Sequence, residues 1–155
     1  MDLEPRRVSR EHARVSLKNE RIAELVRPFE GRKHDPHYLA FFACFNQGKF
    51  YEAHEVLEKI WLPKRHEAIG GFYKGLIQLA GAFVHLQKGR LRPAGALLKL
   101  AKEHLGHYPA AHEGLDLDRV EKLINGWLEQ LESGLYERNP FTAKGAPMPG
   151  LELQL

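Results

Sequence analysis

Apolar residues recur along this chain at helical spacing, and no run alternates as a half-buried strand would. The clearest stripe is Ala94, Leu97, Leu98, Ala101 and Leu105, an i, i+3, i+4 pattern that predicts a helix from about 93 to 106. Ile22, Leu25, Val26 and Phe29 predict a first helix over 16–29. A second is expected over 36–47, with Asp35 as N-cap, Pro36 at its first position and Gly48 as a left-handed stop. A third runs over 49–62 and is expected to stop at Pro63. A fourth covers 66–88 and ends at Gly89. The sixth starts at Asp118, where Glu121 completes a D-x-x-E form of the capping box, and ends at Gly134. Its stripe is Val120, Ile124, Trp127, Leu128 and Leu131. The short connections favour antiparallel neighbours.

This pattern predicts an all-α fold, a single bundle of five or six helices with an extended C-terminal tail. Residues 1–15 are charged and read as an N-terminal arm. Residues 16–134 form the bundle. Residues 135–155 hold three prolines and two glycines and read as a tail whose Phe141, Leu151, Leu153 and Leu155 dock on the domain or on a partner.

Composition narrows the class. The chain has 155 residues, 43% of them hydrophobic, enough for one real core and too few for several domains. One cysteine excludes an internal disulfide and a zinc site built on several thiolates. Cys44, among phenylalanines, reads as a small core residue. The N-terminus lacks a secretory apolar region, and the most apolar stretch, 70–86, is interrupted by Lys74, Gln78 and His85. The expectation is a cytoplasmic protein without a membrane span.

The third helix carries the densest polar string, Tyr51-Glu52-Ala53-His54-Glu55-Val56-Leu57-Glu58. At 100° per residue, Phe50, Ala53, Leu57, Ile60 and Trp61 form one apolar arc. His54 falls inside it, and Glu58 at its edge is the i+4 neighbour of His54. Glu55 is expected further out, with Glu52 and Lys59 in solvent. On the fourth helix Ile69, Phe72, Leu76, Leu79, Ala80 and Phe83 make one apolar face. The opposite face reads Gly71, Gly75, Gln78, Ala82 and His85, which predicts a buried central helix approached closely by another. Gln78 and His85 then need partners, since an unpaired buried polar group costs about 1–3 kcal/mol. The expectation is one cluster of His54, Glu58, Gln78 and His85, with Tyr51 and Glu55 at its mouth.

Two strings carry a resemblance. The run from Phe45 to Trp61, with its His54-Glu55-x-x-Glu58 core, and the run Gly75 to Ala82 followed by His85 resemble the signature of the domain-of-unknown-function family 309. The resemblance covers about 38–131 and implies a small all-helical bundle. Its signature positions match His54, Glu55, Glu58, Trp61, Gln78 and His85. The family brings no established activity, and the N-terminal arm and C-terminal tail are extra to its core.

Several readings of the cluster stay open. Tyr51, His54, Glu58, Gln78 and His85 would line a small-ligand site. His54, Glu58 and His85 supply two imidazoles and a carboxylate, a set suited to zinc, iron or manganese. His54, Glu55, Glu58 and His85 are candidates for acid–base catalysis. The H-E-x-x-E string departs from the zinc-protease motif at its fifth position, and neither helix has the di-iron carboxylate spacing. The plain alternative is a structural hydrogen-bond network. His104, His107 and His112 surround the Gly106 turn, where helix-terminus electrostatics favour His as readily as a metal does.

Charge gives another class. From Lys64 to Lys102 eight basic residues stand against one acid, Glu67, and from Glu103 to Glu137 eight acids stand against two basic residues. Arg6, Arg7, Arg10 and Arg14 add a basic arm. Such asymmetry suits steering of an acidic partner or nucleic acid toward the 4–5 connection, or self-association into a homo-oligomer. No nucleic-acid-binding motif accompanies it. The leading expectation is a small helical domain whose His/Glu/Gln cluster is structural or binds a small ligand. A metal-dependent or acid–base enzyme comes next, and an interaction module using the basic 64–102 segment third.

Overall fold

The computed structural model describes residues 4–154. Six helices dominate it: α1 (Glu4–Val26), α2 (Pro36–Asn46), α3 (Phe50–Lys64), α4 (Gly70–Gln87), α5 (Leu91–Leu105) and α6 (Leu117–Ser133). A 3₁₀ turn, Arg27–Phe29, follows α1. The all-α expectation holds, with one small exception. Ala111–His112 (β1) and Leu115–Asp116 (β2) pair as an antiparallel hairpin between α5 and α6. Its turn uses Glu113 and Gly114, both at positive φ. Two residues per strand are too few to show alternation, so periodicity gave no sign of them. No described helix is long and apolar enough to cross a membrane.

The element ends follow local chemistry. Asp35 caps α2 by accepting from the His37 amide at 2.8 Å, with Pro36 in the first turn as expected. Gly48 and Gly89 take positive φ after α2 and α4. The start of α6 differs from expectation: Asp116, not Asp118, is the N-cap, and its carboxylate accepts from the amides of Asp118 and Arg119. Pro63 does not stop α3, which continues to Lys64. It sits in the last turn, one residue before the helix ends. The first helix begins at Glu4, well before residue 16, as one uninterrupted α1. The side chains of Arg6 and Arg7 and residue Leu155 lie outside the described residues.

The central helix is α4, flanked by α3 and α5. Phe72, Leu76, Leu79, Ala80 and Phe83 are fully buried. Burial of each large side chain stabilises by roughly 1.5–3 kcal/mol. The small face receives α5: a Cβ added at Gly75 would stand 2.7 Å from Leu105 Cγ, so only glycine lets the two helices come this close. Aromatic rings fill the junction of α2, α3, α4 and α6, with Phe50 on Phe83 at 5.1 Å and Trp127 on Phe83 at 5.2 Å.

The tail folds back on the bundle. Phe141 packs against Phe50, Trp127 and Phe83. Leu151 is buried and held at both backbone groups by the Asn46 side-chain amide, at 2.7 and 2.8 Å. Leu153 bridges to Leu115, and the Gln154 amide donates to the Gly114 carbonyl.

Candidate functional site

Helical spacing places His54 and Glu58 one turn apart on α3, and their side chains meet, with His54 Nε2 3.0 Å from Glu58 Oε2. The pair is about one-third exposed, and Tyr51, more than half exposed, lies beside it with ring centroids 6.1 Å apart. The other ring nitrogen of His54, Nδ1, is buried and without a hydrogen-bond partner.

The rest of the expected cluster is divided among other partners. Gln78 is buried, but its Oε1 lies 2.8 Å from Nδ1 of His104 on α5 rather than against α3. The Leu100 carbonyl lies 3.1 Å from the same Nδ1. Two oxygen acceptors around one nitrogen require a proton there, so His104 carries its hydrogen on Nδ1 and donates to both. The bond ties α4 to α5. His104 was grouped in sequence only with the Gly106 turn. The signal that would have found this pair is the small face of α4, which could only be covered by another helix.

Glu55 also departs from expectation. It is 3% exposed and faces α1, where Arg21 Nη2 donates to its Oε1 and Lys18 Nζ stands 3.9 Å from Oε2. Angular position on α3 placed Glu55 outside the apolar arc; α1 then covered that side. It therefore stands at no site mouth. Asn19 accepts from Lys59 at 2.8 Å across the same contact.

His85, near the end of α4, is half-buried with an unpartnered Nδ1. Its pKa is lowered, first by burial and then by Arg90 and Lys88. Among the described residues no three His, Cys, Asp or Glu side chains converge to hold a metal ion, so His54, Glu58 and His85 are not a ligand set here. The same holds for His104, His107 and His112: His107 is exposed, and His112 packs edge-on against Phe72 at 4.8 Å. Cys44 is a buried core residue, and burial pushes its thiol up to about 11. Four surface cavities have linings without Tyr51, His54, Glu58, Gln78 or His85.

Residues 38–97 match a family model described as a domain of unknown function, DUF309. That segment belongs to the DUF309 family. It takes in α2, α3, α4 and the first turns of α5, so His54, Glu58, Gln78 and His85 fall inside it, whereas His104 lies beyond it. A protein of Aquifex aeolicus (strain VF5), described only as uncharacterized, is 30% identical over 91 residues, which cover 59% of this chain and 27% of that protein. The chain thus spans about a quarter of that relative's length. No solved structure matches. The DUF309 core is accordingly a helical domain of unknown function, with α1, α6 and the tail packed around it.

The structure also redistributes the basic segment. Lys64 and Arg65 precede α4 while Lys88 and Arg90 follow it, roughly 27 Å apart for an 18-residue helix. They do not form one patch. Cations gather instead at the α4–α5 end. Gln87 donates to the Gly48 carbonyl at 3.0 Å, which brings in Lys49. Asn139 donates to the Leu86 carbonyl at 2.6 Å, which brings in Arg138. Arg92 stacks on Tyr136 at 5.2 Å. Lys49, Lys88, Arg90, Arg92 and Arg138 are all exposed, with Glu137 among them and Glu52 one turn from Lys49. Leu135 and Met148, 70% and 56% exposed, stand at the same end.

Proposed function

We propose that the domain is a binding module, and that the His54–Glu58 and Gln78–His104 pairs are structural. Its working surface is the basic end around Lys49, Lys88, Arg90, Arg92 and Arg138. Its partner is an acidic protein segment that also carries apolar side chains. The observation that carries this reading is the convergence of five exposed cations from separate stretches of chain beside exposed Leu135 and Met148. Cations alone would suit phosphates equally well, but exposed Leu and Met beside them favour a protein partner over nucleic acid. The lowered pKa of His85 agrees with a positive field there.

The test is fluorescence anisotropy with two labelled probes, a Glu/Leu-rich peptide and a single-stranded oligonucleotide of equal charge, across a salt series. The peptide is expected to bind more tightly, and Lys88→Glu with Arg90→Glu to weaken it about tenfold or more. Equal peptide binding by that variant, or preference for the oligonucleotide with a steep salt slope, would overturn the reading.

A further inference from the structure

A different pair of surfaces carries charge at matched spacing. On α1, Arg10, Arg14, Lys18 and Arg21 stand at i, i+4, i+8 and i+11, within about 80° of arc at 100° per residue. On α6, Glu121, Asn125, Glu129 and Glu132 stand at the same intervals. One ladder is basic, and the other is acidic apart from Asn125.

Both ladders are exposed. Every residue from Arg10 to Arg21 is exposed, and Ile22 is the first buried position among the described side chains of α1. Val15 and Leu17, 58% and 65% exposed, lie on that stretch. Among the described residues the polar contacts that hold α1 begin at Lys18 and Asn19, and Arg10 and Arg14 are exposed. The acidic ladder forms one wall of a groove of about 670 Å³ between α5 and α6, floored by Leu128, with Lys99, Lys102 and Glu103 on the opposite wall. A partner must therefore be a rod with a basic stripe, apolar contact and some negative charge beside the stripe. The exposed part of α1 has all three, since Leu17 flanks the stripe and Glu11 is the i,i+3 neighbour of Arg14.

We infer that the exposed part of α1 docks in the α5–α6 groove of a second copy of this chain. An antiparallel lie sets Arg10 against Glu132 and Arg14 against Glu129. It leaves Lys18 opposite the neutral Asn125, which suits a lysine already near Glu55, and Arg21 stays with Glu55 in its own chain. Glu11 faces the Lys99 and Lys102 wall. If both copies exchange α1, the two contacts are identical and the assembly closes as a dimer. This inference concerns other residues than the basic end and stands independently of the function proposed for it.

Sedimentation equilibrium of the full chain at low and high salt reads the self-association. Two variants at exposed positions test its chemistry: Arg10→Glu with Arg14→Glu, and Glu129→Arg with Glu132→Arg. Circular dichroism checks that each is folded. The natural chain is expected to self-associate at low salt and to loosen as salt rises. Each variant alone is expected to associate about tenfold or more weakly, because two attractions become repulsions. In an equimolar mixture of the two, one contact returns with its signs reversed and the other with its natural signs, and association is expected to be regained. A natural chain that is monomeric at low salt overturns the inference. So does association unaltered by either variant, or a mixture that stays as weak as its components.

Discussion

Gln78 on α4 and His104 on α5 meet through Oε1 and Nδ1 at 2.8 Å, and this bond lies beside the glycine face where the two helices approach most closely. Gln78 is buried and has no water to fall back on. Gln78→Leu keeps the volume but leaves the His104 Nδ1–H with the Leu100 carbonyl alone. The expected loss is about 1–2 kcal/mol of unfolding free energy, read from urea denaturation. Nitrogen NMR of the natural protein is expected to find the neutral His104 proton on Nδ1. A proton on Nε2 would contradict the assigned bond.

Gly75 tests the same contact from its backbone side. In an exposed helix Gly→Ala stabilises by about 1 kcal/mol. Here the new methyl would meet Leu105 Cγ at 2.7 Å in a buried interface. Overpacking outweighs propensity, so Gly75→Ala is expected to destabilise by about 1–3 kcal/mol, measured by thermal or urea unfolding. A stabilised variant would show that α5 yields easily.

Glu55 fastens α1 to α3. Glu55→Ala removes the partner of Arg21 and Lys18. Arg21 is half exposed and rehydrates, so the loss stays near that of one charge-assisted hydrogen bond, about 2 kcal/mol. Hydrogen exchange is expected to quicken in the amides of α1 while those of α4 keep their protection. Equal quickening throughout would mean that Glu55 supports the whole bundle instead.

The lowered pKa of His85 sets a pH dependence with a definite sign. The unfolded chain binds a proton near 6.5, whereas the folded protein binds it only at lower pH. The stability linked to neutral His85 is therefore fully present above 6.5 and is lost as pH falls from there through the lower folded value. Urea midpoints at neutral and mildly acid pH are expected to differ less in His85→Gln than in the natural protein. Arg90→Ala is expected to raise the His85 pKa in an NMR titration, since Arg90 contributes to the lowering.

Local chemistry along the chain determined the helices. The stripe of α5 is buried at Ala94, Leu98, Ala101 and Leu105, Asp35 caps α2, and Gly48 and Gly89 end helices in the left-handed region. These depend on residues within a turn or two of each other, so spacing alone reveals them. His54 and Glu58 were legible for the same reason, being one turn apart on one helix. Only the tertiary structure decided which helix covers which face. Gln78 needed a partner, but whether α3 or α5 would supply it turned on how closely a neighbour can approach Gly75. Glu55, expected at the mouth of the cluster, is instead covered by α1, and the tail became part of the core once Asn46 held Leu151. Such partners are 26 to 105 residues apart in sequence, and no local periodicity records a contact across that distance.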